Sequence, residues 1–390
     1  MTGRDFDIVI FGATGFAGEL TAEYLARNAP ANCRWALAGR SQAKLENVRA
    51  RLATIEPNLA TMPLLHADVD DAGSVRAMAE ATRVVITTVG PYVLYGEPVV
   101  AACAEAGTDY VDLTGEPEFV DTTYLRHQGR AQETGARLVH CCGFDSIPHD
   151  LGAYFTVLQL PEGVPLKVSG YLRASGAPSG GTFHSAITAF SHGRQTMAAA
   201  RRRKAAEPRP TDRSARSVAG RPHHDSVTSG WALPLPTVDP QIVARSARAV
   251  PRYGPDFEYS HYASIERLAV AVGGAAGVGA LFAAAQVPPL RKVLLNRIKP
   301  GDGPSASKRA KSWFTVTFVG TGGGRRVVTR VSGGDPGYDE TAKMLAESAL
   351  CLAFDDLPKV SGQLTPVAAM GDALLERLQK AGIGFEIIEA

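Results

Sequence analysis

Apolar and polar positions in the first third of the chain fall into a repeated two-part pattern. Short apolar runs cover Asp7–Phe11, Arg34–Ala38, Pro63–Ala67, Arg83–Val89, Asp109–Leu113 and Arg137–Cys141. Between them lie stretches of helical period: Gly15–Arg27, Ser41–Ile55, Ala72–Ala81, Pro98–Ala106 and Val120–Thr134. The runs lack clean apolar–polar alternation, as strands do when helices cover both faces of a parallel sheet. This order predicts an α/β fold, a Rossmann doubly wound parallel sheet over residues 1–150.

Beyond residue 150 the pattern changes. "PLKVSGYLRASG" reads as a strand, and "GTFHSAITAFSHGRQTMAAARRRKAA" as a helix ending in a basic run. Residues 201–226 interleave arginine with proline and serine, which predicts an exposed, flexible basic loop. Strands Trp313–Val319 and Arg326–Val331 flank glycines at Gly322–Gly324, a hairpin signature. Helical period returns at Tyr338–Phe354 and Ala368–Lys380. The expected layout is a cofactor domain over 1–150, an α+β substrate and partner domain over 151–336, and C-terminal helices over 337–390 docked on the first domain.

Composition narrows the classes. A chain of 390 residues favours two domains. Apolar content of 45% with 21% charged residues is that of a soluble globular protein. The net charge of +2 gives no reason to expect nucleic acid, and no binding module accompanies the arginines of 201–226. Five cysteines without a CxxC suggest neither a disulfide framework nor a metal knuckle, so no metal is expected. Arg4, Asp5 and Asp7 lead straight into a strand, so the expected location is cytoplasmic.

The candidate chemistry begins in "IVIFGATGFAGELTAEYL". Gly12 has to turn the chain out of a strand, where positive φ is cheap without a Cβ. Gly15 lets backbone approach a pyrophosphate, and Gly18 lets the helix lie close to the sheet. The helix start offers unpaired N–H groups to phosphate. Gly12, Thr14, Gly15, Phe16 and Gly18 are therefore the expected dinucleotide cradle. The next strand ends in "ALAGRS", where an NAD site would keep an acid. Arg40, with Ser41 and Lys44 behind it, suits a 2′-phosphate instead, and the expected cofactor is NADP(H). Asp68 ends the third strand, at the adenine edge. Thr88, Gly90 and Pro91 follow the fourth, on the nicotinamide-ribose side.

"FGATGFAGELTAEYL", "ALAGRS", "TTVGPYVLYGEPVVAACAEAGTDYVDLTGE", "CCGFDSIPHDLG" and "GGDPGYDETAKMLAESAL" together resemble the saccharopine dehydrogenase-like oxidoreductases. Within them they are most similar to the actinobacterial trans-acting enoyl reductases. The resemblance covers nearly the whole chain. It implies an NADPH-dependent reductase whose substrate is an acyl-carrier-bound enoyl thioester on a polyketide synthase, in cell-envelope lipid synthesis. It leaves two alternatives, reduction of amino-acid adducts and a non-catalytic NADP-binding, membrane-associated role, and supplies no catalytic motif.

Such a reduction needs a hydride at the β-carbon and a proton at the α-carbon. Tyr92 is the expected donor, with Glu116 and His149 behind it and His184 as a candidate from the second domain. Asp145 and Ser146 read as helix-entry caps. The uncharged stretch 268–290 leaves several readings open: a buried helix, a helix packed on a second copy in a homodimer, an acyl-chain wall, or peripheral contact with the inner face of the plasma membrane. The basic run at Arg201–Arg203 offers a docking face for an acidic carrier domain.

Overall fold

The computed structural model describes residues 3–175, 187–188, 191–297 and 304–390. His184 lies outside these residues. Six strands, β1 (Phe6–Phe11), β2 (Trp35–Gly39), β3 (Leu64–His66), β4 (Thr82–Thr87), β5 (Asp109–Asp112) and β6 (Arg137–Val139), pair in parallel in the order β6-β5-β4-β1-β2-β3. Alternation within β1 shows why its sequence is apolar throughout. Ile8 and Ile10 enter one core with Leu25, Leu45, Met344 and Leu345, while Val9 and Phe11 enter the other with Val75, Val85, Val99 and Val100.

The second sheet is built from β7 (Leu166–Ser175), β8 (Ser214–Ser217), β9 (His223–Asp225), β10 (Gly230–Pro234), β11 (Asp256–Ile265), β12 (Trp313–Gly322) and β13 (Arg325–Gly333). Its central order is β13-β12-β7-β11-β10-β9, with β8 beside β11. The β12–β13 hairpin turns at Gly323 and Gly324, both at positive φ.

The helix Ile147–Leu158 joins the two halves. Nearly all of its residues are buried, and it packs on β7, β12 and β13 while its first turn follows β6. A domain boundary at residue 150 would therefore cut through a helix that serves both cores. The tail also serves both halves. Helix Asp339–Phe354 covers β1, β4 and β5 and packs on helix Phe16–Asn28. Two further strands then follow: β14 (Gly362–Leu364) extends the parallel sheet beyond β6, and β15 (Gly384–Glu389) pairs with β13 at the edge of the other sheet.

Residues 201–226 are not the flexible loop expected from composition. They hold the end of helix Gly193–Ala206 and strands β8 and β9. The reason is pairing with distant acids. Arg203 is buried against the distant Asp121 at 3.4 Å and braced within its own helix end by Glu207 at 3.0 Å, and Arg216 pairs with Asp256 at 2.7 Å and Glu258 at 2.9 Å. Helix Gly193–Ala206 lies along helix Pro117–Thr134.

Candidate active site

The site forms along the carboxyl ends of the parallel strands, where open α/β sheets bind their ligands. Gly12 leaves β1 at φ 89°, and a Cβ there would stand 2.7 Å from Val89 Cγ2. A Cβ on Gly18 would lie 2.3 Å from the Gly12 carbonyl oxygen, so the helix can only seat here without a side chain. Gly15 differs: its Cβ would meet only the Gly12 oxygen, at 3.4 Å, which leaves its outer side open to a ligand. Gly15 is also the N-cap of helix Phe16–Asn28 and offers no capping side chain, so the first-turn N–H groups stay available to an anion. Thr88 braces the turn by donating its hydroxyl to the Gly12 carbonyl at 3.1 Å. Thr14 and Phe16 are half-buried at the rim, where the Phe16 ring meets Tyr338 edge-on at 4.7 Å and the Arg309 guanidinium at 5.3 Å.

At the end of β2, Arg40 is exposed and has no acidic partner among the described residues. Ser41 caps helix Gln42–Ile55 by accepting the Lys44 N–H at 3.4 Å, which fixes the loop that carries Arg40. These residues fit the adenosine 2′-phosphate of NADPH. The Asp68 carboxylate is used locally, accepting the Asp70 N–H at 3.1 Å in the turn after β3.

The expected catalytic residues are placed differently. Tyr92 is buried, and its hydroxyl donates to the Thr87 carbonyl at 3.0 Å. Burial, with Asp112 nearby, pushes its pKa well above 10, so it faces the core rather than a substrate. The Glu116 carboxylate accepts the Tyr92 N–H at 3.1 Å and the Val93 N–H at 2.8 Å. It holds the start of helix Tyr92–Tyr95, just past Gly90 and Pro91, as a positioning residue. His149 is buried as well and does not reach the cleft.

The structure brings a different acid to the carboxyl ends of β5 and β6. Asp145 follows β6 and stands against the loop after β5: a Cβ on Gly115 would lie 2.9 Å from Asp145 Oδ2. Ser146 stands at the N-cap of helix Ile147–Leu158, though its side chain makes no capping hydrogen bond. Asp145 keeps a partial opening to solvent, yet burial, aided by the negative Asp239, raises its carboxyl to about 7. Behind it lies a buried group from both domains. His149 Nε2 is 4.0 Å from Asp239 Oδ1, His261 Nε2 is 3.7 Å from Asp239 Oδ2, and the two imidazoles meet edge-on at 4.7 Å. Burial lowers the His149 pKa, and burial with His149 beside it lowers His261 to about 3, so both rings are neutral. Burial opposes the charge on Asp239, while the Thr237 hydroxyl, which donates to it, favours the carboxylate. Donor atoms of His149, Asp239 and His261 lie within 4.8 Å of one another, a set whose chemistry also suits a cation.

A second buried set fixes the loops. Asp112, at the end of β5, takes the Thr114 and Cys141 N–H groups at 3.1 and 3.0 Å, the Tyr110 hydroxyl at 2.8 Å and His140 Nδ1 at 2.6 Å. One carboxylate thereby ties the loop after β5 to the loop that carries Asp145. Asp239 and His261 escape sequence reading because "TVDPQIV" looks like an ordinary helix start. The available signal for His261 is its phase, since it shares the inward face of β11 with Phe257 and Tyr259.

Comparison with known proteins gives the family and the fold. Residues 8–139 match the saccharopine dehydrogenase NADP-binding domain family. A trans-acting enoyl reductase of Mycobacterium tuberculosis is 39% identical, with 97% of each chain covered. Another M. tuberculosis protein is 41% identical over 99% of this chain and 98% of its own. A trans-acting enoyl reductase of Mycobacterium leprae is 38% identical over 97% of both. Among solved structures, the saccharopine dehydrogenase (L-Glu forming) of Saccharomyces cerevisiae covers 98% of the chain with all of its own, at TM-score 0.57 and 12% identity, a likeness of fold.

Proposed function

The chain belongs to the trans-acting enoyl reductases, and from that premise we propose that it saturates the α,β double bond of an enoyl thioester, using NADPH, for a polyketide synthase without its own reductase. The observation that carries the cofactor half is Arg40, standing where an NAD site would keep an acid. Bound NADPH supplies the hydride taken up by the β-carbon. The chain's own residues do the rest. The Gly12–Gly18 turn and its helix hold the pyrophosphate, and Arg40 pairs with the 2′-phosphate. Asp145 holds a proton on its carboxyl near neutral pH and delivers it to the α-carbon, general-acid work for which a pKa near 7 is suited. Asp239 keeps that proton in place by its charge, and the neutral His149 and His261 support Asp239 from behind.

Carrier docking is assigned to the exposed Arg201, Arg202 and Lys204 of helix Gly193–Ala206; Arg203 is excluded because it is buried and paired with Asp121. Reversing Arg201 and Arg202 to glutamate should raise the apparent KM for a carrier-bound enoyl substrate and leave a free thioester unaffected. The test of the whole reading is NADPH consumption by the purified protein with a 2-enoyl thioester, free and carrier-bound, with mass spectrometry for two added hydrogens. Absence of turnover on both substrates would refute it.

A further inference from the structure

The helix Leu268–Gln286 carries no charged residue over its 19 positions and is largely exposed. Of its described side chains only Ala271 and Ala285 are buried. Val270 and Val272, on opposite sides of the axis, are 58% and 61% exposed. A core helix buries its apolar face, and a helix in a two-chain contact covers one stripe. Apolar surface on all sides matches neither.

The surroundings indicate what covers it. β11 ends at Ile265 and β12 begins at Trp313, and both points stand beside the end of β7: Ala263 is level with Leu172, and Trp313 with Ser175. The chain therefore leaves and re-enters at the same end of the central strands of one sheet. The shorter helix Pro288–Arg297 follows and lies against the first. This is an excursion from one side, not a crossing with protein on both sides. At its base, Trp313 is 42% exposed, and Arg267, Lys308 and Lys311 are exposed as well. From Arg267 to Lys311 the sequence has eight basic residues and one acid, Asp302. Apolar surface above a ring of cations with an aromatic at the boundary is the pattern of a segment seated in the headgroup and acyl region of anionic lipid.

We propose that the segment from Leu268 to Arg297 inserts from one side into the surface of a bilayer bearing anionic lipid, with the basic ring at its base on the headgroups. The proposal stands apart from the reductase reading, because its test measures partition rather than turnover. Full-length protein is floated with vesicles of phosphatidylcholine, alone or with phosphatidylglycerol. It should float with the anionic vesicles, and a fraction should stay bound in high salt, since apolar insertion is not screened. Val270→Asp with Val272→Asp should lower partition at least tenfold at unchanged NADPH affinity, which also checks the fold. Lys308→Gln and Lys311→Gln should each weaken binding to the anionic vesicles about fivefold. The proposal is overturned if the protein fails to float with either vesicle at low salt, or if the double aspartate variant floats like the native chain. It is equally overturned by a stable dimer in solution that Val272→Asp dissociates, which would give the helix to a second copy.

Discussion

The two ends of the cleft are built in opposite ways. The phosphate end is made from one short piece of chain, Gly12 to Gly18, plus Arg40 at the tip of the neighbouring strand. The chemical end draws Asp145 and His149 from one domain and Asp239 and His261 from the other, with about a hundred residues between the pairs. The first uses backbone shape, which glycine spacing encodes directly. The second uses the pairing of buried charges, which exists only after two sheets meet on helix Ile147–Leu158. Binding is thus local and chemistry is tertiary in this molecule.

The comparison can be broken most sharply at Asp145. Asp145→Asn should lower kcat about a hundred- to ten-thousandfold at unchanged NADPH affinity, measured by steady-state turnover and fluorescence titration. Turnover close to native would remove the acid from the chemistry. The wild-type rate should fall as pH rises through about 7, because the donor must be protonated. The same acid should weaken the fold in that range. Its folded pKa lies above its unfolded one, so stability is lost as pH rises from the ordinary carboxylate range, near 4, to about 7. Asp145→Asn should therefore melt at a higher temperature than the native chain at pH 8 and at the same temperature near pH 4.

Arg40→Ala tests the other end. It should weaken NADPH about ten- to a hundredfold and leave NADH nearly unchanged, read by paired binding titrations. Equal losses for both cofactors would show that Arg40 is only a solvated charge. Asp239→Asn should give a smaller effect of a different kind. Removing the neighbouring charge lowers the Asp145 pKa, so the falling limb of the pH–rate profile should move toward acid by about one unit. A lower rate without that displacement would make Asp239 merely structural. Tyr92→Phe should change least: turnover retained, with about 1–2 kcal/mol of stability lost from the hydroxyl's bonds to Thr87 and Leu113, visible as a lower Tm.

Much of the molecule could be read before it was seen, and the failures share a cause. The six parallel strands and the glycine cradle follow from local pattern, since an apolar run and a φ requirement are properties of a few adjacent residues. Tyr92 was misread because its loop faces the cleft while its ring turns the other way, a choice made by Phe119 and the Thr87 carbonyl rather than by neighbours in sequence. The arginines of 201–226 looked solvated because their partners, Asp121, Asp256 and Glu258, lie far along the chain. Strands β14 and β15 fall outside the repeated strand–helix pattern of the first third, and exist because an open sheet edge accepts them.

Those two strands bear on how the protein is made. One closes the edge of the parallel sheet and the other the edge of the second sheet, and both are translated after every strand they complete. While the ribosome is still adding residues 361–389, each half already has most of its core but also a bare row of backbone donors and acceptors. A message cut short near codon 360 would leave both sheets open at once. The products of such truncation should be found with chaperones or in aggregates, rather than as a shortened enzyme.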